Sequence, residues 1–372
     1  MRPDTLIIGA GIIGLCIARE LHKRGERNIV LLDRSDAGSE SSWAAAGMLS
    51  PQAEARETDS FLRFCSEARD RYPAFAEELR SETGIDIELD RTGTICVACS
   101  DRESLELAER AGSQDREGLD VQRLSAAEIR ELEPELSEKV RDGLLFPNDW
   151  QVENRKVIQA LIEYAKRYGI LIRERIEARK LIIENGEVTG VETEQGNIYC
   201  GRVIITAGAW TSQIEPLPAV VRPMRGQMIC FHPERRLLRH VVYGTGCYIV
   251  PRRDGRILVG ATVEDVGFDK SVTEEAVKLL RDNGLEMVPA LGNVKMMERW
   301  CGFRPFASDG LPVLGCVSGI ENLALATGHF RNGILLAPLT GSVIADHLYG
   351  TESPYLSLYG PARFASRSAG SA

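Results

Sequence analysis

Gly9-Ala10-Gly11-Ile12-Ile13-Gly14 has the spacing of a turn that cradles a pyrophosphate. It follows the apolar, β-branched run Thr5-Leu6-Ile7-Ile8 and precedes a helical pattern from Leu15 to Arg24, the strand-turn-helix context in which three such glycines carry meaning. Gly9 permits the tight turn, Gly11 lets backbone N–H groups approach the phosphates, and Gly14 lets the helix pack on the strand. Ile12 and Ile13 then open the helix at its positive end, which faces the phosphates. Asp33, about 20 residues on, closes a second apolar run, Asn28 to Leu32. Its carboxylate would accept hydrogen bonds from an adenosine ribose and argues against NADP.

Four further stretches hold residues able to bind or react. Ser39 to Gln52 has no regular period: Ser41 and Ser42 offer donors, and Ala46-Gly47-Met48 allows close backbone approach, although a helix N-cap loop would look similar. Ala207-Gly208-Ala209-Trp210 is a second small-residue turn after a strand. Trp300 to Gly315 places Arg304 between a sheet strand and a turn punctuated by Pro and Gly, where it is read either as an anion ligand or as half of a salt bridge. Thr327-Gly328-His329-Phe330-Arg331-Asn332-Gly333 opens a helix over Ile334 to Leu348, again an anion-friendly N-terminus. His329, alone in a glycine turn, reads as a hydrogen-bonded structural residue rather than a reacting one. Cys96-Val97-Ala98-Cys99 lacks a second pair or a His cluster, so it reads as strand and not as zinc site; no metal is expected.

The elements between these stretches must position them. Thr58 to Thr83 repeats its apolar residues at three and four, an amphipathic helix with a break near Pro73. Arg91 to Cys99 alternates as a strand, the charged segment 102–133 holds two helices, and Gln151 to Tyr168 is another. A meander follows, Ile176 to Ile183 and Val188 to Thr193 about the turn Glu184-Asn185-Gly186, with Val203 to Thr206 as its last strand. The second half is mostly strands, Arg225 to Phe231, Val241 to Val250 and Arg256 to Val263, with one helix, Glu274 to Met287. A dinucleotide unit, a late return to strands and then a second sheet is the order of a two-dinucleotide-fold flavoprotein rather than of an NAD dehydrogenase.

The 372 residues suit two domains, at about 100–200 residues each. A net charge of −9 and an isoelectric point near 5.3 disfavour nucleic acid or an anionic membrane as a standing partner. Nine cysteines, an odd number spread through apolar segments, are core residues of a reducing compartment rather than a disulfide framework. Leu6 to Ala18 has the length of a signal-peptide core but is interrupted by glycines and lacks a cleavage site, and no run reaches the ≈ 18–20 apolar residues of a membrane span. The expectation is a cytoplasmic protein without an integral membrane segment, its oligomeric state open, a homo-oligomer included.

GAGIIG with Asp33, SSWAAAGMLSP, ITAGAW, CYIVPRRDGRILVGAT, GFRPFASDGLPVLG and GHFRNGILLAP follow one another from Leu6 to about Tyr349. In these motifs the sequence resembles the glycine oxidase branch of the D-amino-acid oxidase family of flavoproteins, associated with the thiazole of thiamine. The resemblance implies an α/β fold with a Rossmann-like FAD-binding domain of the glutathione-reductase type (1–86, 141–215 and 305–365). It adds a substrate domain on a mixed or antiparallel sheet (87–140 and 216–304) and a flexible tail at 366–372. It implies non-covalent FAD held by Gly9, Gly11, Ile12, Ile13, Gly14, Asp33, Arg34, Ser41, Ser42, Ala46, Gly47, Met48, Ile176, Ala207, Gly208, Trp210, His329, Arg331, Asn332, Gly333 and Ile334. Arg304 matches the arginine that holds the substrate carboxylate, Tyr248 the tyrosine that supports it, and Arg331 lies beside both flavin and substrate. The activity implied is oxidative deamination of glycine, sarcosine or small D-amino acids, by hydride transfer from Cα to the flavin without an acid–base residue. An imine, glyoxylate and ammonia follow, with molecular oxygen reoxidising the flavin to give peroxide. Two alternatives remain: a D-amino-acid dehydrogenase with another acceptor, and a non-catalytic flavin-binding module. Trp43-Ala44-Ala45-Ala46-Gly47 has less glycine than relatives show, and sarcosine oxidases tether FAD through a cysteine near Cys301, though the other features of that branch are missing.

Overall fold

The computed structural model describes residues 2–55, 57–244 and 246–364; the expected tail at 366–372 lies outside them. Two sheets organise the chain. One has six strands in the order Val313–Cys316, Leu323–Thr327, Arg202–Ile205, Thr5–Ile8, Ile29–Leu32, Leu171–Arg173, and is parallel except where Val313–Cys316 joins its edge. Its central strands read as continuous apolar runs because both faces are covered, as parallel sheets require.

The helix Ile12–Lys23 follows the glycine turn and is buried on most of its circumference. It is packed against Asn154–Arg167 and Gly333–Leu348 as well as the sheet. The approach of the second helix is close: a Cβ at Gly341 would stand 3.0 Å from the Cys16 carbonyl oxygen. Leu21, fully buried in this core, would cost about 2–5 kcal/mol to truncate to alanine. Ser60–Asp70 starts at an Asp59 cap and stops before Tyr72–Thr83, which carries Pro73 in its first turn, so the break near Pro73 is present.

The other sheet has eight strands in the order Met296–Ala307, Val221–Phe231, Ile257–Gly260, Cys247–Pro251, Val241–Gly244, Thr94–Ala98, Asp142–Phe146, Gln122–Ser125. It is antiparallel except between Val241–Gly244 and Thr94–Ala98. Three departures from the sequence reading matter. Arg304 lies inside the strand Met296–Ala307 and not between strand and turn; Pro305 sits opposite Pro223, so the missing N–H donors coincide and the ladder runs on. Asp142–Phe146 pairs with Thr94–Ala98, so a boundary at 140/141 separates strands of one sheet, and one at 304/305 cuts Met296–Ala307. The meander closes on itself as Ala178–Glu184, Glu187–Thr193 and Gly196–Tyr199, its first turn made by Asn185 and Gly186 at φ 54° and 85°, while Arg202–Ile205 leaves it for the parallel sheet.

Candidate active site

A cavity of about 790 Å³ runs between the two sheets, from Asp33 and Trp210 at one end to Tyr248 and Arg304 at the other. That is in the upper part of the roughly 300–1,000 Å³ found for small-molecule sites. Every residue expected to touch cofactor or substrate lines it except Gly14, which acts behind the wall.

The three glycines of the turn divide into two roles. At Gly9, φ 108°, a Cβ would stand 2.5 Å from the Thr206 carbonyl oxygen, and at Gly14 it would stand 2.0 Å from the oxygen of Gly9, so both serve close backbone packing. At Gly11 a Cβ meets only the Ser42 hydroxyl, at 3.3 Å; this is the open side of the turn. The turn, two helix N-termini without side-chain caps at Gly11 and Asn332, and the small residues Ala44, Ala45, Ala46, Gly47 and Gly208 make a cradle lined by backbone, which fits a dinucleotide carrying a pyrophosphate.

Several side chains do more, or other, than the sequence implied. Asp33 accepts the N–H of Ala10 and of Ser35, each at 2.8 Å, so its carboxylate fastens the glycine turn as well as facing the cavity; burial raises its pKa against those bonds. Ser42 accepts the Ile12 N–H at 3.0 Å. Ser41, expected as a donor to the cofactor, spends its hydrogen on the Phe303 carbonyl and ties this loop to the eight-stranded sheet. Arg34 stacks over Trp210, 4.9 Å from the ring, and Ile176 is fixed beside them by its N–H to the Asp33 carbonyl. His329 is buried, its Nε2 is 3.1 Å from the Thr340 hydroxyl, and burial drives its pKa down to about 3, so it is neutral and structural. Cys301 does not line the cavity; its thiol points to the Lys270 carbonyl.

At the other end, Cys96, Tyr243, Tyr248, Gly260 and Met228 fall on one cross-strand row and present one face of the eight-stranded sheet to the cavity. Arg304 donates to the Thr262 carbonyl at 2.9 Å and lies close enough to Tyr248 for the two to interact, and among the described residues no carboxylate lies within ion-pairing distance. The salt-bridge reading of this arginine therefore fails. Desolvation depresses its pKa, while Tyr248 offsets part of that. Arg331 follows Phe330, a left-handed residue at φ 46°, and is exposed without an ion pair among the described residues. A guanidinium enclosed without a counter-ion is an anion site.

Three contributors were missed from sequence. Gly226 makes room for Arg304: a Cβ there would stand 2.1 Å from the guanidinium. Gly260 does the same for Tyr248, whose ring would be 2.8 Å away. Glycine inside a strand is the sign of such close approach, and both were legible as that. Glu54, at the end of the short helix Pro51–Glu54, lines the cavity near both arginines and had no motif to mark it.

Comparison with known proteins agrees with this geometry. The family model described as FAD dependent oxidoreductase matches residues 4–347. The bifunctional protein ThiO/ThiG of Trichormus variabilis is 36% identical over 371 residues, 98% of this chain but 55% of the relative, so the chain spans about half the length of the first curated relatives it matches. The glycine oxidase of Pseudomonas aeruginosa is 34% identical, with 95% of this chain and 96% of the relative covered. The crystal structure of glycine oxidase from Geobacillus kaustophilus superposes with a TM-score of 0.92 at 34% identity, over 96% of this chain and 98% of the other. With a match over nearly its whole length and a cradle that fits the dinucleotide, the chain belongs to the D-amino-acid oxidase family of FAD-dependent oxidoreductases.

Proposed function

We propose that this protein oxidises glycine, together with sarcosine and small D-amino acids, to the imine and so to glyoxylate and ammonia. Molecular oxygen is the final acceptor, hydrogen peroxide the product, and the thiazole branch of thiamine synthesis the destination. The observation that carries the reading is Arg304, a cation enclosed beside the cofactor cradle with a tyrosine and no carboxylate of its own. Relatives named glycine oxidase over nearly the full chain support it. We also take the two sheets as the cores of two discontinuous domains, cofactor-binding and substrate-binding, with Asp142–Phe146 assigned to the second.

Bound FAD supplies an acceptor for the hydride that leaves the substrate Cα. Gly9 and Gly11 with Ile12 and Ile13 would hold its pyrophosphate, with Gly14 keeping the turn packed from behind; Asp33, Arg34, Ile176 and Trp210 would hold its adenosine half, and Ser42, Ala46, Gly47, Met48, Ala207, Gly208, Asn332, Gly333 and Ile334 the remainder. The helix end at Gly333 favours negative charge nearby. Arg304 pairs bidentately with the substrate carboxylate and, with Tyr248 and Arg331, fixes its orientation while the eight-stranded sheet excludes water. His329, neutral, takes no proton.

Anaerobic addition of glycine to the FAD-loaded protein should bleach the flavin, and air should return the colour with peroxide. No bleaching with any small amino acid would sink the reading; bleaching without peroxide would favour the dehydrogenase alternative. Arg304→Ala should retain flavin but lose roughly two to three orders of magnitude in kcat/KM, with Arg304→Lys recovering only part. Equal reduction rates at low glycine would move the carboxylate site to Arg331.

A further inference from the structure

The substrate end of the cavity holds opposite charges. Glu54 lies in the wall with Arg304, Arg331, Tyr243 and Tyr248. Its Oε1 accepts the Tyr243 hydroxyl at 2.8 Å, and Oε2 has no hydrogen-bond partner among the described residues. It makes no ion pair among them, although Arg331 and Arg304 both act on its charge. Burial raises its pKa; the two arginines and the tyrosine oppose that. The other acids of this region are spent elsewhere: Glu103 caps its own helix start at Cys99 and Ser100, and Glu106 pairs with Arg102.

The four-residue helix that carries Glu54 is held with unusual completeness. Asp149 accepts the N–H groups of Gln52 and Ala53 at 3.2 and 2.7 Å. The Gln52 amide reaches Gln114 and the Asp120 carbonyl, each at 3.0 Å, and Arg110 donates to the Ala53 carbonyl at 2.8 Å. A carboxylate placed by such a frame, with one oxygen facing the cavity, is prepared for a cationic donor.

We propose that Glu54 receives the ammonium group of the substrate while Arg304 receives its carboxylate, so that the site selects α-amino acid zwitterions over 2-hydroxy acids. The inference rests on the amino-acid oxidase reading and names the group that recognises the amine. A 2-hydroxy acid satisfies Arg304 but brings no positive charge to Glu54, whereas a zwitterion satisfies both.

The test compares glycine with glycolate, its hydroxy counterpart, in FAD-loaded wild type and Glu54→Gln. The variant should raise the KM for glycine by about 10–100-fold, the loss of a charge-assisted hydrogen bond, and leave inhibition by glycolate unchanged or tighter. Flavin content checks folding. If both ligands weaken by one factor, or neither moves, Glu54 does not bind the amine. Should Glu54→Gln lose its flavin, Glu54→Asp keeps the charge and should retain most of the preference for glycine; a preference that collapses there also overturns the assignment. Wild type that no amino acid reduces would fail at the earlier step and bring down the activity itself.

Discussion

Asp149 is the acid with most to lose by ionising. It is completely buried, and desolvation pushes its pKa up to about 7 despite the two backbone donors and Arg69 that favour the charge. A raised carboxyl is stabilising in its neutral form, fully so below the ordinary aspartate range, and that contribution is lost as pH rises through about 7. Full ionisation costs about 4 kcal/mol at 1.36 kcal/mol per unit. Wild type should therefore lose Tm between about pH 4 and pH 7, and Asp149→Asn should flatten that decline; parallel curves would show that the carboxylate is ionised throughout. The sequence made Arg304 visible because its motif is distinctive, and hid Glu54 because a lone acid after Ala53 has no spacing to report. Gly226 and Gly260 were visible as glycines, but what they make room for depends on which strands pair, and that is a long-range fact.

Among the elements, the hairpin ending in Pro251 matters beyond its own sheet. Its next residue, Arg252, is buried and donates to the carbonyls of Val152 and Ala46 at 2.7 and 2.9 Å and to the side chains of Gln151 and Asn154. Glu153 stands 3.4 Å from its Nε. One side chain thus fixes the cofactor loop at Ala46-Gly47, the start of the helix Asn154–Arg167 and the eight-stranded sheet together. Arg252→Ala should cost about 3–5 kcal/mol, the range for breaking a buried ionic network, and the thermal midpoint and flavin retention should fall together. A stable variant that keeps its flavin would show that the loop holds its place without the clamp. Helices and central strands were legible from period and composition, Glu274–Met287 to the residue. The edge strand Gln122–Ser125 was not, because its residues are polar and its pairing partner lies further along the chain.

For the molecule as a whole, the cavity is walled by both sheets, so a ligand filling it binds the folded state alone. Apoprotein should melt earlier than holoprotein, and added FAD should raise the midpoint with the logarithm of its concentration, the folded state gaining about 2.7 kcal/mol at a hundredfold excess over Kd. A midpoint indifferent to FAD would mean that the folded chain does not bind it. The two-sheet architecture was legible in the order of motifs; its seam was not, since assigning Asp142–Phe146 requires knowing that it pairs with Thr94–Ala98. Among the described residues no helix is long and apolar enough to cross a membrane.

Gly226 sets a limit on how this protein can change by mutation. The room it leaves for the Arg304 guanidinium is smaller than a methyl group, and the neighbour that would have to move is the arginine we propose as the substrate's anchor. In a library randomised at this codon, screening for yellow colonies and screening for peroxide should therefore return different sets: small side chains survive the first, and only glycine the second. Variants such as Gly226→Ala that make peroxide as well as the parent would mean that the arginine has another resting place. If the sets differ as expected, turnover can be lost in one step that leaves flavin binding intact, and the chain has a short route from enzyme to inert flavoprotein.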